Sequence, residues 1–89
     1  MTKSVVGVDV SKGKLDVGVN DEKRVQTWTN DVTGCTGLGE WVVGQGVSLV
    51  VVEASGGYEA AIVSELVSRG QAVALVNMQA HYFFQGLLA

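Results

Sequence analysis

Two carboxylates stand where carboxylates are costly. Asp9 interrupts the valine-rich run Ser4-Val5-Val6-Gly7-Val8-Asp9-Val10-Ser11, and Glu53 closes a second run, Val47-Ser48-Leu49-Val50-Val51-Val52-Glu53. An ionised acid inside an apolar strand needs hydrogen bonds, a cationic partner or a metal ion. Hard oxygen donors favour Mg²⁺ or Mn²⁺, which keep several waters and take one or two carboxylates together with phosphate oxygens. Two such ions about 3.5–4 Å apart activate the attacking oxygen and stabilise the leaving one in an in-line displacement. Asp9 and Glu53 are therefore the candidate catalytic and metal-ligating residues. A complete two-metal site needs more acids, and the sequence has none after Glu65. The plainer reading is a solvated acid at a strand end, since perturbed carboxylates also arise for structural reasons.

The elements that must position this pair follow from hydrophobic periodicity. Residues 4–11 read as a β-branched strand, Ser11-Lys12-Gly13-Lys14 as a turn, and Leu15-Asp16-Val17-Gly18-Val19 as an alternating strand. Asn20–Lys23 is a second turn and Arg24–Asn30 a third strand, which completes an antiparallel meander. From Asp31 the period changes. Leu38, Trp41 and Val42 fall at helical spacing, with Asp31 or Thr33 as the cap. Gly34, Gly37, Gly39 and Gly44 weaken that helix, each by about 0.8–1.0 kcal/mol if interior. Val47–Glu53 is apolar throughout, as in a central strand covered on both faces.

Ser55-Gly56-Gly57 turns the chain into a helix over Tyr58–Arg69, whose stripe is Ile62, Val63, Leu66 and Val67 and whose stop is Gly70. Ala72–Asn77 is a fifth strand. Gln79–Ala89, with Tyr82, Phe83, Phe84, Leu87 and Leu88, reads as a short amphipathic helix. The order β-β-β-α-β-α-β predicts an α/β fold with a mixed five-stranded sheet and packed helices. That is the ribonuclease H-like architecture, with the first strand in the middle beside the fourth. Parallel neighbours lie about 4.8 Å apart, so Asp9 and Glu53 can meet on one cation. An actin-like nucleotide-binding half-domain shares this order, and topology does not choose between them.

Composition sets further bounds. Eighty-nine residues make a single domain over 1–89 with a thin core. No apolar run approaches the roughly 18 residues of a membrane span, and the N-terminus lacks the apolar segment of a signal peptide. The single cysteine, Cys35, excludes an intramolecular disulfide and fits a reducing cytoplasm. Six Lys and Arg against nine Asp and Glu give a net charge of −3, the opposite of a free-standing nucleic-acid binder. Lys12, Lys14, Lys23 and Arg24 form only a modest basic cluster, so a phosphate grip must come from bound metal or from outside these residues.

The runs Val6-Gly7-Val8-Asp9-Val10-Ser11-Lys12-Gly13-Lys14-Leu15-Asp16-Val17 and Val52-Glu53-Ala54-Ser55-Gly56-Gly57-Tyr58-Glu59 resemble the signatures of the IS-one-ten family of insertion-sequence transposases. These are transposases of the DEDD, RuvC-like type, related to the Piv DNA invertases. Val76-Asn77 and Gln79-Ala80-His81-Tyr82-Phe83 also resemble that family's N-terminal domain, while Met78 departs from its usual proline. The resemblance implies that Asp9 and Glu53 are the first two acids of a four-carboxylate Mg²⁺ or Mn²⁺ site. It places the other two acids, and a domain bearing a nucleophilic serine, beyond the segment matching 79–89. The expected role is the N-terminal part of a DNA transposase or recombinase, with DNA and, in several members, a guide RNA as partners. Such a portion by itself is expected not to cut or join DNA.

Other residues read more plainly. Asp16 alternates with Leu15 and Val17, which makes it a solvated or hydrogen-bonded face residue that could sit near Asp9. Ser11 and Lys12 form a turn, with phosphate binding as the sharper alternative. Ser55, Gly56 and Gly57 precede a helix whose amides could meet an anion, and Glu59 suits the first turn of that helix. Trp28 and Trp41 read as core or sheet-face residues, His81 as surface or packing, and Cys35 as no nucleophile. The Tyr82–Phe84 and Leu87–Leu88 cluster suggests a homodimer. A non-catalytic remnant that folds and dimerises is the third reading, beside the transposase and actin-like ones.

Overall fold

Alternation along Val5–Val10 (β1) sorts its side chains onto two faces: Val6, Val8 and Val10 are buried, while Gly7 and Asp9 are exposed. The computed structural model describes residues 5–19, 25–53 and 56–77. Along these the chain forms β1, Lys14–Val19 (β2), Val25–Thr29 (β3), the helix Val32–Gly44 (α1), Leu49–Glu53 (β4), the helix Ala60–Ser68 (α2) and Val73–Val76 (β5). One five-stranded sheet has the order β3-β2-β1-β4-β5. β1 pairs antiparallel with β2 and parallel with β4, so the first strand is central and beside the fourth, as the sequence predicts. The tight β1–β2 turn is closed by the Ser11 N–H donating to the Lys14 carbonyl at 3.0 Å.

A single apolar layer holds the sheet to the helices. Val6, Val8, Leu15, Val17, Val50 and Val52 pack with Leu38 and Val42 of α1 and Ile62 and Leu66 of α2. Burying each such side chain contributes about 1.5–3 kcal/mol. Trp28 and Trp41 close the flank of this layer, their ring centroids 5.5 Å apart and inclined at 46°. The opposite face of the sheet differs from the expectation for β4. Leu49 and Val51 are only half-buried, and no described helix covers them. The apolar run of β4 therefore reflects a central position in the sheet; among the described residues its cover lies on one face. No helix among the described residues is long and apolar enough to cross a membrane.

The glycines of α1 read from sequence as weaknesses, but the first of them is a packing requirement. A Cβ built on Gly34 would overlap the Thr29 carbonyl oxygen and lie 2.6 Å from Thr29 Oγ1. The helix thus starts hard against the end of β3. Asp31 caps it: Oδ1 accepts from the Gly34 N–H at 2.7 Å and from the Thr29 hydroxyl at 2.8 Å. α2 begins two residues later than the expected Tyr58, because Gly56 (φ +59°) and Gly57 (φ +95°) hold the left-handed backbone of a turn. The turn is closed by the Ala60 N–H donating to the Gly57 carbonyl at 3.2 Å. The expected turn at 20–23, the segment 79–89 and His81 lie outside the described residues.

Two stability outcomes follow from these contacts. Gly34→Ala should lower the unfolding free energy by at least the upper end of the ~1–3 kcal/mol typical of overpacking. Gly44→Ala, with open space at its Cβ position, should raise it by about 0.5–1 kcal/mol. Urea unfolding of both variants checks the pair. The Gly34 and Thr29 hydrogen bonds hold the Asp31 carboxyl below its ordinary 3.8. A depressed folded-state value means this stabilisation is fully present above 3.8 and is lost as pH falls through the lower folded value. The stability gap between wild type and Asp31→Asn should accordingly shrink on acidification below 3.8, which urea midpoints across pH will read. A gap that does not change with pH would rule the charge effect out.

Candidate metal centre

Strand register brings the sequence-predicted acids together. Directly paired residues share a face of the sheet, and the pairing runs Thr27–Asp16–Asp9–Glu53–Val76 from β3 across to β5. Among the described residues Asp9 and Glu53 are the last pair of the parallel β1–β4 ladder, on neighbouring strands about 4.8 Å apart. Asp16 flanks Asp9 on the other side and is a hydrogen-bonded face residue, so the sequence reading and the proximity it left open both hold. The adjoining row is Gly18–Gly7–Val51–Ala74, in which two positions lack a side chain. Together the rows shape an open trough of about 320 Å³ on the face turned away from α1 and α2.

The three carboxylates are not equivalent. Asp16 is engaged with its own sheet: the Thr27 hydroxyl donates to its Oδ1 at 2.7 Å, and Lys14 Nζ lies 3.7 Å from its Oδ2. Asp9 is exposed and Glu53 half-buried, and among the described residues neither side chain has a hydrogen bond or ion pair. In water two like charges a strand apart repel by only on the order of 1 kcal/mol, so solvent tolerates the pair. A divalent cation would turn that repulsion into attraction.

The donor set fits such an ion. Both carboxylates offer hard oxygens open to water, and one or two carboxylates are what a cation that keeps several waters takes from a protein. Among the described residues no group of three or more His, Cys, Asp or Glu side chains converges tightly enough to hold a metal. Asp16 is tied to Thr27 and Lys14 beside this pair.

The remaining candidates resolve toward structure. Ser11 Oγ donates to the Lys14 carbonyl at 3.2 Å and Lys12 is exposed, as a plain turn requires. At the start of α2 the Gly57 N–H donates to Glu59 Oε1 at 3.1 Å, so the protein's own carboxylate takes the place suggested for an outside anion. Ser55 lies outside the described residues. Cys35 is 4% exposed, and burial, with the Glu65 and Asp31 carboxylates nearby, pushes its thiol up. A thiolate is disfavoured there, which agrees with the reading of Cys35 as no nucleophile.

One residue escaped the sequence reading. Asn30, between β3 and α1, reaches both loops that leave the Asp9 and Glu53 strands. Its signal in sequence, an Asn before a capping Asp, is indistinguishable from an ordinary strand-to-helix turn.

No protein-family model and no curated protein matches the sequence. Nineteen chains of solved structures do. One is the Thermus thermophilus RuvC structure, at 16% identity and a TM-score of 0.57, matched over 83% of this chain and 61% of that one. The likeness shows the fold: a RuvC-like, ribonuclease H-like α/β domain with a mixed five-stranded sheet. The chain spans 61% of the length of that RuvC chain.

The packing around Cys35 gives a direct check. Its thiol should react with an aromatic disulfide reagent at neutral pH only at the rate of unfolding, and promptly in denaturant. Fast native-state labelling would show a more open helix start than the one described.

Proposed function

We propose that residues 1–89 form the N-terminal domain of a metal-dependent DNA transposase or recombinase of the IS-one-ten type. Asp9 and Glu53 would supply two of its metal-ligating carboxylates. The observation that carries this is the register: the two acids named by the sequence motifs form a direct pair on adjacent parallel strands. A RuvC-like fold is in keeping with the same reading, and Asp9 and Glu53 lie side by side on two neighbouring interior strands.

Electrostatics assigns the order of events. The face bears Asp16, Asp9 and Glu53 on a chain of net charge −3, so a phosphodiester is repelled until a cation is bound. Asp9 and Glu53 would hold a Mg²⁺ or Mn²⁺ ion, which would supply Lewis acidity and attraction for a phosphate oxygen. Two carboxylates are fewer than strand transfer needs. Cleavage and joining of DNA thus require acids from outside these residues, and a guide RNA or a second subunit would belong to that larger assembly. A cytoplasmic location accords with the reduced Cys35.

The test is a Mn²⁺ and Mg²⁺ titration of the chain, followed by NMR of side-chain carboxyl carbons. Asp9 and Glu53 should respond together. Asp9→Asn and Glu53→Gln should each weaken binding by more than about tenfold, with unfolding free energy changed by no more than about 0.5 kcal/mol, as for surface sites. Asp16→Asn should leave affinity near wild type. Silence at millimolar metal would defeat the reading. A response to ATP instead would favour the actin-like half-domain, and a response to neither the remnant that only folds and dimerises.

A further inference from the structure

Among the described residues the last pair of the β1–β4 ladder is Asp9–Glu53. From there the backbone leads on one side into the β1–β2 turn and on the other to the turn before α2. Asn30 bridges the two turns. Its Nδ2 donates to the Ser11 carbonyl at 2.8 Å and to the Tyr58 carbonyl at 3.0 Å. Ser11 lies two residues past Asp9, and Tyr58 five past Glu53. Both partners are carbonyl oxygens, and only the NH₂ end of the side-chain amide can donate to them, so the orientation of the amide is set by chemistry.

The rest of the residue is anchored as well. Its Oδ1 faces Cys35 Sγ at 3.8 Å, and its backbone N–H donates to the Gly13 carbonyl at 3.1 Å. Asn30 is thus held by α1 and by the β1–β2 turn while it spans the two strand exits. A side chain with both amide protons committed to two different loops fixes their separation. The register already pairs the two carboxylates, and hydrogen bonds that support the segments carrying such ligands commonly tune affinity by about 10–100-fold.

We propose that Asn30 is a positioning residue for the Asp9–Glu53 pair, holding the ends of β1 and β4 at the spacing that a divalent cation requires. The inference rests on the reading of that pair as a cation site, and the experiment separates the two. In a Mg²⁺ titration of the wild-type chain, the Asn30 side-chain amide resonances should shift with the same midpoint as the Asp9 and Glu53 carboxyl carbons. A cross-link without influence on the site would leave them still. In Asn30→Ala, Mn²⁺ affinity should fall by about tenfold or more while the β1 and β4 amide resonances keep their folded positions.

Asn30→Gln, which keeps both amide protons on a longer arm, should recover part of that loss. If the carboxyl carbons titrate while the Asn30 amide does not move, the positioning role is overturned. Wild-type affinity in a folded Asn30→Ala variant would overturn it equally. If no carboxyl carbon responds to metal in wild type, the cation site itself falls, and this role with it. Should Asn30→Ala fail to fold, the wild-type titration still decides.

Discussion

Parallel pairing of β1 with β4 is the constraint on which the site depends. The register from Val5–Leu49 to Asp9–Glu53 sets which side chains face the helices and which acids meet. A slip by one residue would turn Val50 and Val52 toward solvent and Glu53 toward the core. Burial prevents it: Val6, Val8, Val50 and Val52 are at most 2% exposed against Leu38, Ile62 and Leu66. The apolar face of the sheet therefore enforces the geometry of the acidic one. Removing bulk from the core layer would disturb the carboxylate pair without touching it, because the pleat couples the two faces of each strand.

Much of this was legible in sequence, and the reason is periodicity. Alternation in Leu15-Asp16-Val17-Gly18-Val19 announces a strand with one apolar face, and the Ile62–Leu66 spacing announces α2. The candidate acids were legible because an Asp within Val-Gly-Val-Asp-Val is a conspicuous breach of an apolar run. Less legible were features that depend on which element lies opposite. Gly34 looked like a weak point in α1 and is the contact that lets the helix start against Thr29. The α2 boundary was misplaced because the positive φ of Gly56 and Gly57 outweighed the helical pattern that begins at Tyr58. Asn30 was silent because its partners, Ser11 and Tyr58, are 19 and 28 residues away and are reached through main-chain atoms that carry no side-chain signature.

The charge distribution also gains meaning from the fold. An acidic chain looks ill-suited to nucleic acid when charge is merely counted. Placed on the sheet, the charges separate into two kinds. Asp31 and Glu65 serve helix ends and helix packing, one capping α1 and the other pairing with Arg69 at 2.6 Å. Asp16 is held by Thr27 and Lys14. Asp9 and Glu53, like the exposed Glu40 of α1, have no such partner among the described residues, and of these three only Asp9 and Glu53 are neighbours on the sheet. Exposed ion pairs contribute little to stability, so the absence of a partner at these two positions costs the fold little. It leaves them available to a cation.

The small-residue row beside the acids carries the same logic one step further. Gly7 and Gly18 sit in strand interiors, where glycine destabilises by roughly 0.5–1 kcal/mol relative to Ala. A Cβ at either position would meet open space, so no described neighbour requires glycine there. Their effect is on the surface they leave: a shallow trough beside Asp9 and Glu53, with backbone accessible at its floor. Strand glycines with no internal reason mark places where another group approaches the sheet closely. The same residues that weaken β1 and β2 thus make the carboxylate pair approachable, and the dense layer of buried valines and leucines on the opposite face offsets that weakness.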